Sequence, residues 1–183
     1  MNAKLSAFII FILLLPLWVT AGSSAPNNKV TEPSFFHSFS GSIVSELDQI
    51  KEQTKTGVVL FFSTQHCRFC KRMKATVFNQ RSVQEYYRQH FRILELDIES
   101  DTTLVDELAQ TTPYLDYAKR HRVRLTPTIV FLNHAGETVY RHVGMIADPQ
   151  EFIWLAEYVV SNQTRKQNFT NFKINKRQQV TAP

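Results

Sequence analysis

The chain has 183 residues, is 43% apolar and 20% charged, and carries a formal charge of +5. That size and balance fit one packed domain with appendages and exclude a disordered or collagen-like chain. A domain of this length folds without a covalent staple, so its two cysteines point to chemistry rather than to architecture.

The N-terminus has the three parts of a secretory signal: Lys4, an apolar stretch from Ala7 to Val19 broken only by Pro16, and the small-residue site Val19-Thr20-Ala21. The run is shorter than the roughly 20 residues of a membrane span. The expected division is a signal peptide at 1–21, a Ser/Pro/Asn-rich linker at 22–38, a folded domain at 39–162 and a polar basic tail at 163–183. An uncleaved N-terminal anchor is the alternative to cleavage. In either case the body lies across the membrane from the cytosol, periplasmic or secreted, where disulfides persist.

Within the domain, Ile43, Val44, Leu47 and Ile50 predict a helix over 42–55, with Gly57 as its stop. "VVLFF" (58–62) reads as a strand buried on both faces. "HCRFCKRM" (66–73) follows it almost at once and opens a helix that continues through Met73, Val77 and Phe78. A further helix is expected at 82–90 and a strand at "FRILELDI" (91–98). Residues 99–112 read as an insertion with one short helix, since Leu104, Val105 and Leu108 can share a face. A helix over 114–122 precedes the strand "PTIVFL" (127–132), the turn Asn133-His134-Ala135-Gly136 and the strand "ETVYRHV". Asp148 and Pro149 are an N-cap and first helical residue. The tail holds Arg165, Lys166, Lys173, Lys176 and Arg177, is weakly patterned, and reads as a solvated segment. The order of elements predicts an α/β fold, a mixed sheet with helices on both faces.

On that scaffold Cys67 stands at the start of a helix, where unsatisfied N–H groups stabilise an anion. The thiolate is the nucleophilic form of cysteine. Arg68 and Lys71 add positive charge, and Cys70 lies three residues on, on the same helical face. The pair reads as a redox dithiol. A structural disulfide would more usually close a longer loop. A structural zinc site needs four ligands, and the six histidines show no matching pairing. Haem attachment needs a histidine where Lys71 stands. Copper held by Cys67, Cys70 and a remote histidine stays open, as does a partner-docking role without redox turnover. No nucleic-acid motif is present. Asn162-Gln163-Thr164 and Asn168-Phe169-Thr170 are formal glycosylation acceptors.

With "FFSTQHCRFC" and "LTPTIVFL" as its strongest marks, the chain over about residues 40–160 resembles the thioredoxin superfamily. Within it the sequence is most similar to exported bacterial thioredoxins of the sulfur-oxidation, SoxW type. The resemblance implies a thioredoxin-like fold and a thiol–disulfide oxidoreductase without cofactor. It makes Cys67 the attacking cysteine, Cys70 the resolving one, and Pro127 a cis-proline facing them. Thr126 and Gly144 would line the groove for a partner strand, with His66, Arg68 and Phe69 beside it. Partners would be protein thiols and disulfides and a membrane-embedded thiol donor, with the chain itself a monomer. His66 stands where thioredoxins place tryptophan, and Phe61 where many bury an aspartate. Glu95, alternating with Leu94 and Leu96, is the candidate to replace that carboxylate. Arg68 favours the Cys67 thiolate, and so a disulfide more oxidising than the thioredoxin value of about −270 mV.

Overall fold

The computed structural model describes residues 34–181. The expected signal segment and most of the expected linker lie outside the described residues.

Helix α1 (Ile43–Glu52) starts where Ser42 Oγ accepts the Ser45 N–H at 3.2 Å. It buries Ile43, Leu47 and Ile50 and ends short of the expected Lys55. Gly57 is not its stop. Instead it opens β1 (Gly57–Ser63), where a Cβ would meet Leu132 O at 2.0 Å, so only glycine permits the strands to close there. After β1 come α2 (Arg68–Thr76), α3 (Arg81–His90) and β2 (Phe91–Asp97). Strand β2 runs parallel to β1, and β5 (Thr128–Leu132) and β6 (Thr138–Val143) add antiparallel, giving the order β2-β1-β5-β6. This is the mixed sheet that the crossovers and the hairpin predict.

Because side chains alternate along a strand, every residue of β1 is buried, and in two different cores. Val59 and Phe61 join Ile93, Ile129 and Phe131 under α2, α3 and α5 (Pro149–Val160). Val58, Leu60 and Phe62 join Leu94, Leu96 and Val130 under α1 and α4 (Tyr114–Arg120). Asp148 caps α5 by accepting the Gln150 and Glu151 N–H groups, with Pro149 at the first turn.

Three regions differ from expectation. Residues 99–112 contain no helix. They contribute β3 (Thr103–Val105) and most of β4 (Thr111–Pro113), which pair as an antiparallel hairpin. Leu104 is buried and Leu108 is 65% exposed, so the two do not share a buried face. The tail after Asn162 forms a 3-10 turn (Gln163–Arg165) and α6 (Phe169–Thr181), which buries Phe169 and Phe172 against Tyr158. At the other end, Phe35 belongs to the core, stacked on Phe78 at 4.3 Å. His37 beside it donates its N–H to Ile93 O and accepts the Ile93 N–H at Nδ1, closing the free edge of β2.

Candidate functional site

Strand β1 leaves the sheet at Ser63, and the chain turns within four residues into α2. Cys67 is the N-cap of that helix: its Sγ accepts the Cys70 N–H at 3.1 Å, the bond an oxygen usually takes at this position. The Cys67 carbonyl in turn accepts the Lys71 N–H. Cys67 and Cys70 are joined as a disulfide, their Cα atoms 5.2 Å apart. Cys67 is 8% exposed and Cys70 2%, so a reagent arriving from solvent meets Cys67 first. His66, Arg68 and Lys71 are exposed around it, as is Phe69 at 57%.

The same end of the sheet receives the loop before β5. Phe62 of β1 pairs with Thr128, so residues just before Thr128 lie against residues just after Phe62. Accordingly, Thr64 and Thr126 bring their hydroxyls to 3.5 Å. The Thr126–Pro127 peptide bond is cis. Pro127 O accepts the Gly144 N–H at 2.9 Å, which ties the loop after β6 to the same place. Gly144 has φ +98°, a backbone conformation that favours glycine, and a Cβ there would meet nothing within 4 Å. Cys67, Cys70, Thr126, Pro127 and Gly144, dispersed over 78 residues of sequence, thus converge on one edge of the molecule.

Glu95 stands apart from that group. Phe91 and Ile93 pack in the core that holds Cys70, and Leu94 and Leu96 in the other. Alternation therefore turns Glu95 toward α2. Its Oε1 accepts the Ser63 hydroxyl at 2.6 Å and pairs with Lys74 Nζ at 2.5 Å. Lys74 is four residues beyond Cys70, one turn along α2. Neither Ser63 nor Lys74 figures in the sequence reading. The Cys70–Lys74 spacing was the available signal, but the partner of Lys74 depends on strand register. Leu125 (67% exposed) and Val143 (48%), which flank Thr126-Pro127 and Gly144, were also not anticipated.

Among the described residues, no group of three His, Cys, Asp or Glu side chains is placed to hold a metal ion. None of the described helices is long and apolar enough to cross a membrane.

The profile of the thioredoxin-like domain family matches residues 43–160. Comparison with curated proteins finds no match. Among solved structures, the chain is similar to a candidate disulphide-isomerase from Bacteroides thetaiotaomicron, with 26% identity and a TM-score of 0.54 over 70% of this chain and 96% of that one. It is also similar to a thioredoxin-fold protein from Helicobacter pylori, with 19% identity and a TM-score of 0.56 over 67% and 80% of the two chains.

Proposed function

The chain belongs to the thioredoxin-like domain family, and we propose that it works as an exported thiol–disulfide oxidoreductase that reduces disulfides in partner proteins. The observation that carries this reading is Cys67 Sγ at the head of α2, accepting a helix N–H beside exposed Arg68 and Lys71. A sulfur so placed is stabilised as the thiolate once the Cys67–Cys70 bond is opened.

Exchange then runs in two displacements. The Cys67 thiolate attacks one sulfur of a partner disulfide. A bond forms between Cys67 and that sulfur, and the other partner sulfur leaves as a thiolate. Cys70 loses its proton and attacks Cys67 Sγ, which closes the Cys67–Cys70 bond and releases the second partner thiol. Two electrons pass from the dithiol to the partner, and a membrane-embedded thiol carrier restores the dithiol. Glu95, paired with Lys74 one turn beyond Cys70 on α2, is the group we assign to take the Cys70 proton. Thr126, Pro127 and Gly144 receive the partner as an extended strand, with His66, Arg68 and Phe69 at its border. Export rests on the Lys4, Ala7–Val19 and Val19-Thr20-Ala21 pattern, and reductase direction on the SoxW-type resemblance. The likeness to a candidate disulphide-isomerase supports the same chemistry.

The test is turnover of a protein disulfide in the presence of a reductant. Cys67→Ser is expected to lower the rate by about a thousandfold or more, since the nucleophile is gone. Cys70→Ser is expected to arrest the reaction as a mixed disulfide on Cys67, seen by mass spectrometry. Equal rates for wild type and Cys67→Ser would overturn the reading.

A further inference from the structure

The sheet has two edges, and the chain treats them differently. The β2 edge is closed by residues of the chain itself: His37 exchanges two hydrogen bonds with Ile93, and Arg92 reaches Ser38 O. The β6 edge is open. Among the described residues, the backbone of 138–143 is bonded on the β5 side only. Gly144 N–H bonds Pro127 O, which makes His142–Ile129 and Tyr140–Phe131 the hydrogen-bonded pairs of this antiparallel ladder. The N–H and C=O groups of Arg141 and Val143 therefore point outward, away from the sheet.

Along this edge runs a groove of about 520 Å³ between β6 and the C-terminal turn of α4. Arg120, Arg122 and Arg141 line it, together with Thr138 and Tyr140. Arg120 is committed to Asp106 at 2.5 Å. Arg141 bonds only the His121 carbonyl, and Arg122 has no carboxylate partner among the described residues. Glu137, the carboxylate next to Thr138 in the chain, is held by Asn133. Arg122 also sits at φ +55°, where glycine would be the less strained choice, so an arginine is presented there at a conformational cost.

We propose that the β6 edge is a docking site for an extended acidic segment of a partner protein, added as a fifth strand. The outward N–H and C=O groups of Arg141 and Val143 would give the backbone bonds, and Arg122 and Arg141 the charge selection. Charge is what chooses the occupant. A charged residue on an edge strand disfavours pairing with a second copy of the same chain: pairing β6 with itself would bring two edges together, each carrying Arg141 with Arg122 beside it, in a protein already at +5. A strand with glutamate or aspartate at alternate positions meets them with opposite charge. Six residues of β6 extend about 20 Å, and Val143 is next to Gly144 at the disulfide end. A segment docked here therefore lies against the same protein's redox face without occupying it.

The experiment uses the whole protein and an acetylated eight-residue peptide with glutamate at every second position. Titration calorimetry is expected to show binding that weakens tenfold or more between 50 and 300 mM salt. Arg122→Glu is expected to weaken it at least tenfold, while turnover of a small disulfide reagent stays as in wild type. Amide exchange at Arg141 and Val143 is expected to slow on binding, and an N-methylated peptide is expected not to bind. The proposal is overturned by no binding at millimolar peptide, by binding without slower exchange at those amides, by equal binding of the N-methylated peptide, or by wild type alone self-associating through this edge.

Discussion

A thiol as deeply buried as that of Cys70, at 2% exposure, cannot attack until its proton has somewhere to go. Glu95 is a carboxylate on the α2 side of the sheet, fixed by Ser63 at 2.6 Å and Lys74 at 2.5 Å. A group that serves the second displacement and not the first leaves a kinetic signature. Glu95→Gln should form the mixed disulfide on Cys67 at the wild-type rate and release product about tenfold to a hundredfold more slowly, at the low end of acid–base contributions. Quenched-flow trapping checks this by the accumulated mixed disulfide, and Glu95→Asp should restore part of the release rate. Release at the wild-type rate in Glu95→Gln would leave the residue as a partner for Lys74 and Ser63 alone. At this scale the sequence was partly transparent. Leu94 and Leu96 revealed which way Glu95 faces, because alternation is a local property. Ser63 and Lys74 did not stand out, because their meeting depends on β1 and β2 pairing in register and on α2 crossing above them. The same holds for Thr64 and Thr126, which are 62 residues apart in the chain and become neighbours only through the β1–β5 register.

Elements with a regular apolar period were legible, and those built on polar bonds were not. The continuous run of β1 and the spaced apolar residues of α1 and α5 each specify one structure. In residues 103–113 the spacing of Leu104, Val105 and Leu108 suits a helix, yet a hairpin forms. Its organiser is Asp106, fully buried, which accepts the Leu108 and Gln110 N–H groups and the Thr112 hydroxyl while pairing with Arg120. A helix would leave that carboxylate without these donors, and threonines at 103, 111 and 112 suit strands better. Burial alone would raise the Asp106 carboxyl, but the Gln110 N–H, Arg120, Thr112 and the Leu108 N–H overcome it and bring it down to about 2. The folded value lies below the unfolded one. The contribution is therefore complete above about pH 4 and lost as pH falls toward 2. Asp106→Ala should cost about 3 kcal/mol at neutral pH, because Arg120 and the backbone donors lose their acceptor. Urea midpoints between pH 2 and 5 check both statements: wild type should lose stability across this window more steeply than Asp106→Asn. Equal slopes would show that the hairpin does not depend on this carboxylate.

The packed molecule is larger than the segment that the family profile matches, and its stability should reveal the difference. Residues 43–160 contain the whole sheet and the disulfide but omit Phe35, His37, Phe169 and Phe172. Phe35 fills the space between Phe78 and Tyr87, and Phe169 and Phe172 cover Tyr158 at 5.5 and 5.3 Å. Helix α6 is held further by Lys173 to Glu151 at 2.9 Å and Lys176 to Glu157 at 2.6 Å. Single ion pairs at the margin of the fold add little, so the phenylalanines decide the outcome. Loss of a buried phenylalanine side chain costs about 3 kcal/mol, and three such losses approach the roughly 5–15 kcal/mol by which a whole domain is stable. Removing residues 34–42 also strips His37 from β2 and leaves that edge as open as the edge of β6. The fragment 34–181 is therefore expected to unfold cooperatively in urea, and the fragment 43–160 to lose its cooperative transition or to aggregate. Trp154, buried in α5, is the sole tryptophan of both fragments and reports the transition by fluorescence. Equal midpoints for the two would mean that the terminal phenylalanines lie on a core already complete without them.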